Sequence, residues 1–236
     1  RDQGVGGSRG ARVPSIAGYE AAQDLKDKLK RLAAEFYGWD EDSIIIEQGN
    51  VVKGDRKREI PFVELANRAG EKITGEGHID EGRGNQFVSY AAHVAEVLVD
   101  VETGEVTLKK YCSVQETGAV LNPIGFEGQI EGGIIQGIGQ ALMEDMNLDH
   151  GQVVNPSFAD YKIPVMPDIP GLKSLILESE QGHGPYNVRG IGEGAITMPC
   201  PAIMNAIEDA CGGRINDLPA TSEKVYSQLK SGSLLE

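Results

Sequence analysis

The sequence is poor in the groups that most metal, redox and hydrolytic chemistry uses. Its three cysteines, Cys112, Cys200 and Cys211, lie far apart in 236 residues with no CxxC pair. An iron–sulfur cluster is generally held by four thiolates, so this chain does not hold one alone, and unpaired thiols suit a reducing compartment. The four histidines, His78, His93, His150 and His183, share no metal-ligand spacing and read as ordinary core or surface residues. No GxSxG, no HExxH and no Cys/His pair in a recognisable setting occurs, which leaves acyl transfer and zinc chemistry without support. Basic residues are scarce as well: 22 Lys and Arg against 36 Asp and Glu give a net charge of -14 and no basic stripe for a nucleic acid. No apolar run approaches the roughly 20 residues that cross a bilayer, and no leader opens the chain, so a cytoplasmic protein is expected. Arg1 stands where Met would, already inside a glycine-rich stretch, and reads as the start of a processed, truncated or fragmentary product.

Glycine, by contrast, is abundant at 31 residues, which points to many places of close backbone approach or positive φ. The length suits one large domain or two lobes. After an opening loop at residues 4–18, Leu25, Leu29, Leu32 and Phe36 recur at helical spacing and predict an amphipathic helix to residue 37. Gly49-Asn50 between two apolar runs predicts a short hairpin over 44–53, and Pro61 opens a short helix. A Val- and Tyr-rich stretch from 86 to 114, broken by ETGE at 102–105, predicts a long antiparallel hairpin. The run LNPIGFEGQIEGGIIQGIGQALMEDM is predicted helical in its second half. Each interior glycine costs such a helix about 0.5–1 kcal/mol relative to alanine, so it should lie against another backbone or a ligand. A strand at LKSLILES, a glycine loop at 182–195, a helix around PAIMNAIEDACG and a last helix capped near Thr221-Ser222 complete the pattern.

Three places could carry chemistry. The glycine-rich loop from Gly4 to Arg12, with Ser8, Arg9 and Arg12, could line an anionic group with backbone N–H groups or be a plain turn; it lacks the residues of a Walker loop or a dinucleotide site. Gln129 lies among glycines where the backbone is open, or is a surface glutamine. Glu193 lies between Gly192 and Gly194 in a nearly uncharged stretch. It could be a general base with a carboxyl raised by desolvation or a solvated loop residue, and spacing leaves both open.

Taken in order, GVGGSRGARV, LNPIGFEGQIEGGIIQGIGQAL, DYKIP and GPYNVRGIGEGAITMPCPAIMNAI resemble the xanthine dehydrogenase and aldehyde oxidoreductase family of molybdenum hydroxylases, over nearly the whole chain. The GQIEGGIIQGIG and GIGE segments are the most specific, because order and spacing agree as well as composition. The resemblance implies an α+β fold of the carboxy-terminal molybdopterin-binding type, with mixed sheets and packed glycine-rich helices. It implies one molybdopterin-binding domain over residues 1–236, with room for two lobes at 1–80 and 81–230, and a frayed tail at 231–236. The implied cofactor is molybdopterin, as its cytosine dinucleotide, carrying molybdenum to which the protein gives no direct ligand. Glu193 falls on the family's active-site glutamate, which takes the proton from the oxygen that attacks the substrate carbon. Gln129 falls where the family places a glutamine near the metal end of the cofactor. Ser8, Arg9, Gly10, Ala11 and Arg12 fall on a loop that wraps the pterin, and Gly192 on the loop that carries the glutamate; the pair Gly10-Ala11 differs among members.

The family's amino-terminal portion, with its own glycine-rich cofactor loop, is missing. The resemblance therefore implies activity only with partners: an amino-terminal molybdopterin-binding chain, as in the split large subunit of nicotinate dehydrogenase, an iron–sulfur subunit with 2Fe–2S clusters, and an FAD subunit. The implied reaction is hydroxylation of a carbon centre in an N-heteroaromatic or aldehyde with water as oxygen source, or the oxidation of carbon monoxide. A noncatalytic scaffold subunit and, from the opening loop alone, a nucleotide-binding protein are the rival readings.

Overall fold

Helix α1 (Val13–Tyr37) carries its apolar residues on one stripe, and Leu29 and Ala33 are its buried members. It begins at Val13 rather than near Gly18, because Pro14 sits in the first turn, where the N–H that proline lacks would have no helical partner. Gly38 ends it in the left-handed conformation (φ 63°), donating its N–H to Ala34 O. Strands β1 (Ile45–Glu47), β2 (Asn50–Val52) and β3 (Glu59–Pro61) form a small antiparallel sheet in that order. The expected hairpin is there, with Gln48 and Gly49 both at positive φ in its turn and Glu47 facing Asn50 across it. Helix α2 (Phe62–Ala69) follows directly on β3. Leu29, Ala33, Trp39, Ile44, Val51, Ile60 and Leu65 close the core between helices and sheet. Each such large side chain contributes about 1.5–3 kcal/mol on full burial.

The computed structural model describes residues 4–79 and 88–231. They divide into two units, Gly10–Gln86, just described, and Arg1–Arg9 with Phe87–Glu236. The expected frayed tail, beyond Ser231, lies outside the described residues.

The second unit is built on the predicted long hairpin. Strands β4 (Ala91–Val99) and β5 (Val106–Thr117) pair antiparallel with an irregularity between Glu96 and Val97. Before the next strand of this sheet come helix α3 (Pro123–Leu142), a small hairpin of β6 (Leu148–Asp149) and β7 (Gln152–Val153) that no pattern in the sequence announced, and a short 3-10 turn, Met166–Asp168. Strand β8 (Gly171–Glu178) runs parallel to β5, so the three-stranded sheet β4-β5-β8 is mixed. Helix α3 starts at Pro123, in the first half of its motif. Asn122 caps it by accepting the Gly125 N–H at 3.0 Å, and Pro123 has its φ preset for a first turn. Phe126, Ile130, Ile134 and Ile138, one helical turn apart, are its buried row. They pack with Tyr111 of β5, with Ile203 and Ile207 of α4 (Pro199–Cys211), and with Val225 and Leu229 of α5 (Ser222–Ser231). This is an α+β fold with a glycine-rich helix packed against a mixed sheet.

A second row of α3 explains its glycines. A Cβ at Gly133 would lie 2.9 Å from the Ala195 side chain, and one at Gly137 would lie 2.6 Å from the Pro199 ring. With Gln129 one turn earlier, residues 129, 133 and 137 thus lie along the segment from Gly192 to Pro199. Gly128 and Gly132, by contrast, have nothing within 4 Å of their Cβ positions and lie open.

Candidate cofactor site

The site forms where two glycine loops of the same unit meet. A Cβ at Gly190 would come within 1.9 Å of Ser8 O, so only glycine lets the loop at 189–193 lie against the opening loop. Gly192 abuts Ser8 too, its Cβ position being 3.3 Å from Ser8 Oγ. Ser8 holds a positive φ of 57°, which turns its side chain toward the second loop. There Ser8 Oγ accepts the N–H of Glu193 at 2.8 Å. From α3, Gln129 Nε2 donates to Gly192 O at 2.6 Å.

Glu193 begins the short 3-10 turn Gly194–Thr197 without capping it through its side chain. Glu193 is exposed. Beneath the turn lies Gln115 of β5, 3% exposed, with Nε2 3.5 Å from the Cβ position of Gly194. Gln115 Oε1 and Thr117 Oγ1 are buried without a hydrogen-bond partner among the described residues, an arrangement that a few groups per protein show and that calls for a partner of some kind.

The loop is anchored at its start by an ion pair. Arg189, 5% exposed, donates from Nη1 to Glu116 Oε2 at the end of β5 and from Nη2 to Val88 O at 2.7 Å. Ser179 Oγ donates to the other oxygen of Glu116, and Asn187 Nδ2 donates to Ser179 O. Asn187 O in turn accepts the Ala119 N–H at 2.7 Å. Sequence reading passed over this cluster. Its signal was the unbroken polar run Gln115-Glu116-Thr117 at the end of a strand, where alternation would have put at least one of them inside.

Of the residues singled out in the sequence, Ser8, Gln129, Gly192 and Glu193 are brought together. Arg9 follows Ser8 in the opening loop and is half-buried. Gly10, Ala11 and Arg12 belong to the other unit, where Arg12 precedes the first turn of α1 and its carbonyl accepts Ser15 Oγ at 3.0 Å. His93 Nδ1 lies 2.8 Å from Tyr111 OH, and burial holds its ring below the ordinary 6.5. Burial likewise pushes up the Tyr111 hydroxyl and the thiols of Cys200 and Cys211, and all three cysteines are free. Among the described residues no three His, Cys, Asp or Glu side chains gather as a metal site, and no helix is long and apolar enough to cross a membrane.

Comparison with known proteins identifies the family of the chain. The family described as molybdopterin cofactor-binding domain matches residues 1–170. The chain is 31% identical, over 99% of its length, to a xanthine dehydrogenase molybdenum-binding subunit of Escherichia coli O157:H7. It is also 31% identical, over 96% of its length, to an aldehyde oxidoreductase molybdenum-binding subunit of Escherichia coli (strain K12). It covers 32% and 31% of those two proteins, about a third of their length. The crystal structure of quinoline 2-oxidoreductase from Pseudomonas putida 86 matches with a TM-score of 0.82 and 28% identity, over 95% of this chain and 30% of that one. The chain belongs to the molybdopterin cofactor-binding domains of the xanthine dehydrogenase and aldehyde oxidoreductase family.

Proposed function

We propose that this chain gives a molybdenum hydroxylase its catalytic base, Glu193, together with one wall of the molybdopterin site. The observation that carries the reading is the setting of Glu193: the peptide that joins it to Gly192 is hydrogen-bonded at both its carbonyl and its N–H, while Glu193 itself stays exposed where two glycine loops abut. The residues present suit the cofactor. Gly192 is exposed and carries no side chain, so a flat, polar group can come close to its backbone, and the buried Gln115 Oε1 offers an acceptor that no described residue uses. Ser8, Arg9, Gly10, Ala11, Arg12, Gln129 and Gly192 are the residues that would hold it, as the cytosine dinucleotide form.

When bound, the molybdenum cofactor supplies a two-electron oxidant for the substrate carbon, with water as the source of oxygen. Glu193 receives the proton that the attacking oxygen loses, on a carboxylate oxygen that makes no cap to the following turn. The exposure of Glu193 in this chain fits a site completed by a companion polypeptide, whose surface would exclude water there. The same reading has the electrons leave through 2Fe–2S and FAD centres on further subunits, and takes an N-heteroaromatic or an aldehyde as substrate. Replacing Glu193 with Gln in the assembled enzyme should lower turnover by about 10²–10⁴-fold, the usual worth of a general base, at unchanged molybdenum content. Turnover within a few-fold of the parent would remove Glu193 from that role. A scaffold without chemistry would instead carry no molybdenum per assembled particle.

A further inference from the structure

We propose that Ser8 and Gln129 are positioning residues for Glu193, acting through one peptide unit; this rests on the reading of Glu193 as the base. The two hydrogen bonds meet on the single peptide that joins Gly192 to Glu193. Gln129 Nε2 donates to its carbonyl oxygen at 2.6 Å, and Ser8 Oγ accepts its N–H at 2.8 Å. A peptide unit is planar, so a partner at each end fixes its orientation and removes the freedom of ψ at residue 192 and φ at residue 193. Gly192, the residue in this pair with no Cβ to limit it, would otherwise turn freely.

The partners come from parts of the chain that are themselves set. Gln129 stands in the row of α3 that continues through Gly133, against Ala195, to Gly137, against Pro199. Its height beside the loop is therefore set by helix packing on the far side of Glu193. Ser8 reaches Glu193 from 185 residues away, and its backbone is pressed against Gly190. The loop is thus held from both sides of Glu193, and the carboxylate projects from a backbone with a fixed direction. Neither side chain is exhausted: the Ser8 hydroxyl keeps its hydrogen, and Gln129 keeps Oε1 and a second N–H hydrogen for other contacts.

The test compares Ser8→Gly, Ser8→Ala and Gln129→Glu with the parent in the assembled enzyme. Both Ser8 changes remove the acceptor, but glycine accepts the positive φ that strains alanine, so a shared effect belongs to the hydrogen bond. The expected result is about tenfold faster deuterium exchange of the Glu193 amide in both Ser8 variants. All three variants should show a kcat per bound molybdenum about tenfold lower, with KM within twofold. Parental amide exchange and kcat in Ser8→Gly would overturn the proposal. So would a loss of molybdenum with parental turnover per bound metal, since the two residues would then be cofactor contacts only. If Glu193→Gln keeps its turnover while Ser8→Gly still speeds the exchange, the backbone clamp stands and the base reading alone fails. If Glu193→Gln loses turnover while Ser8→Gly matches the parent in exchange and kcat, the clamp alone fails.

Discussion

Arg189 and Glu193 stand in the same glycine loop and carry opposite charges in opposite surroundings. Arg189 is buried, bonded to Glu116 and to the Val88 carbonyl, and ties the loop to the end of β5. Glu193 is exposed, and among the described residues it is its main-chain neighbourhood that is bonded. The difference separates two uses of a charge: one spent on holding the loop, the other left available to what the loop faces. A carboxylate can be offered at this edge because the work of fixing the backbone has been passed to residues other than itself.

The largest test of this contrast sets activity against stability. Glu193→Gln, for all its expected effect on turnover, should change the free energy of unfolding by no more than about 0.5 kcal/mol, as for other exposed positions. Chemical denaturation checks this, and a larger loss would mean that the carboxylate also holds the structure. Arg189→Met should do the reverse in denaturation, costing about 3–5 kcal/mol because Glu116 is left buried and uncompensated. The double change Arg189→Met with Glu116→Gln should recover much of that loss; if it does not, the pair is not the anchor.

Smaller effects probe the row of α3 beside the loop. Gly137→Ala meets the Pro199 ring and should destabilise by about 1–3 kcal/mol, whereas Gly132→Ala meets nothing and should stabilise by about 0.5–1 kcal/mol, both read from thermal unfolding. A loss in the second would show that the open face of the helix is covered. The smallest effect concerns His93, a half-buried residue whose Nδ1 meets Tyr111 OH and whose Nε2 is buried without a partner among the described residues. Its folded value lies below 6.5, so the neutral form is favoured on folding. That stability is present above pH 6.5 and is lost as pH falls from there through the folded value. His93→Gln should flatten the fall of Tm between pH 7 and 5; an unchanged slope would assign the fall to other groups.

Periodic and local features were legible in the sequence, and distant pairings were not. The Leu25, Leu29, Leu32 and Phe36 stripe gave α1, and the turn at Gly49 gave the first hairpin, because each signal lies within one element. The glycines of α3 announced a close neighbour, and Gly133 and Gly137 have one, but nothing local distinguished them from the open Gly128 and Gly132. Glu116 and Arg189 are 73 residues apart and Gln129 and Gly192 are 63 apart, distances at which spacing carries no information. The β6–β7 hairpin, two residues to a strand and exposed, lacks the length for alternation to register. Family likeness supplied Ser8, Gln129 and Glu193 as separate residues; their meeting on one peptide came from the fold.

The alignment of Gln129, Gly133 and Gly137 with Gly192, Ala195 and Pro199 works as a ruler. Helix α3 sets its marks at about 6 Å per four residues, and the segment opposite must pass each mark with a fixed number of its own residues. As far as packing goes, side chains along that segment can be exchanged wherever they do not touch the helix, but its length cannot. One residue added between Gly192 and Pro199 would leave the later marks in place and carry the Gly192 carbonyl past the reach of Gln129.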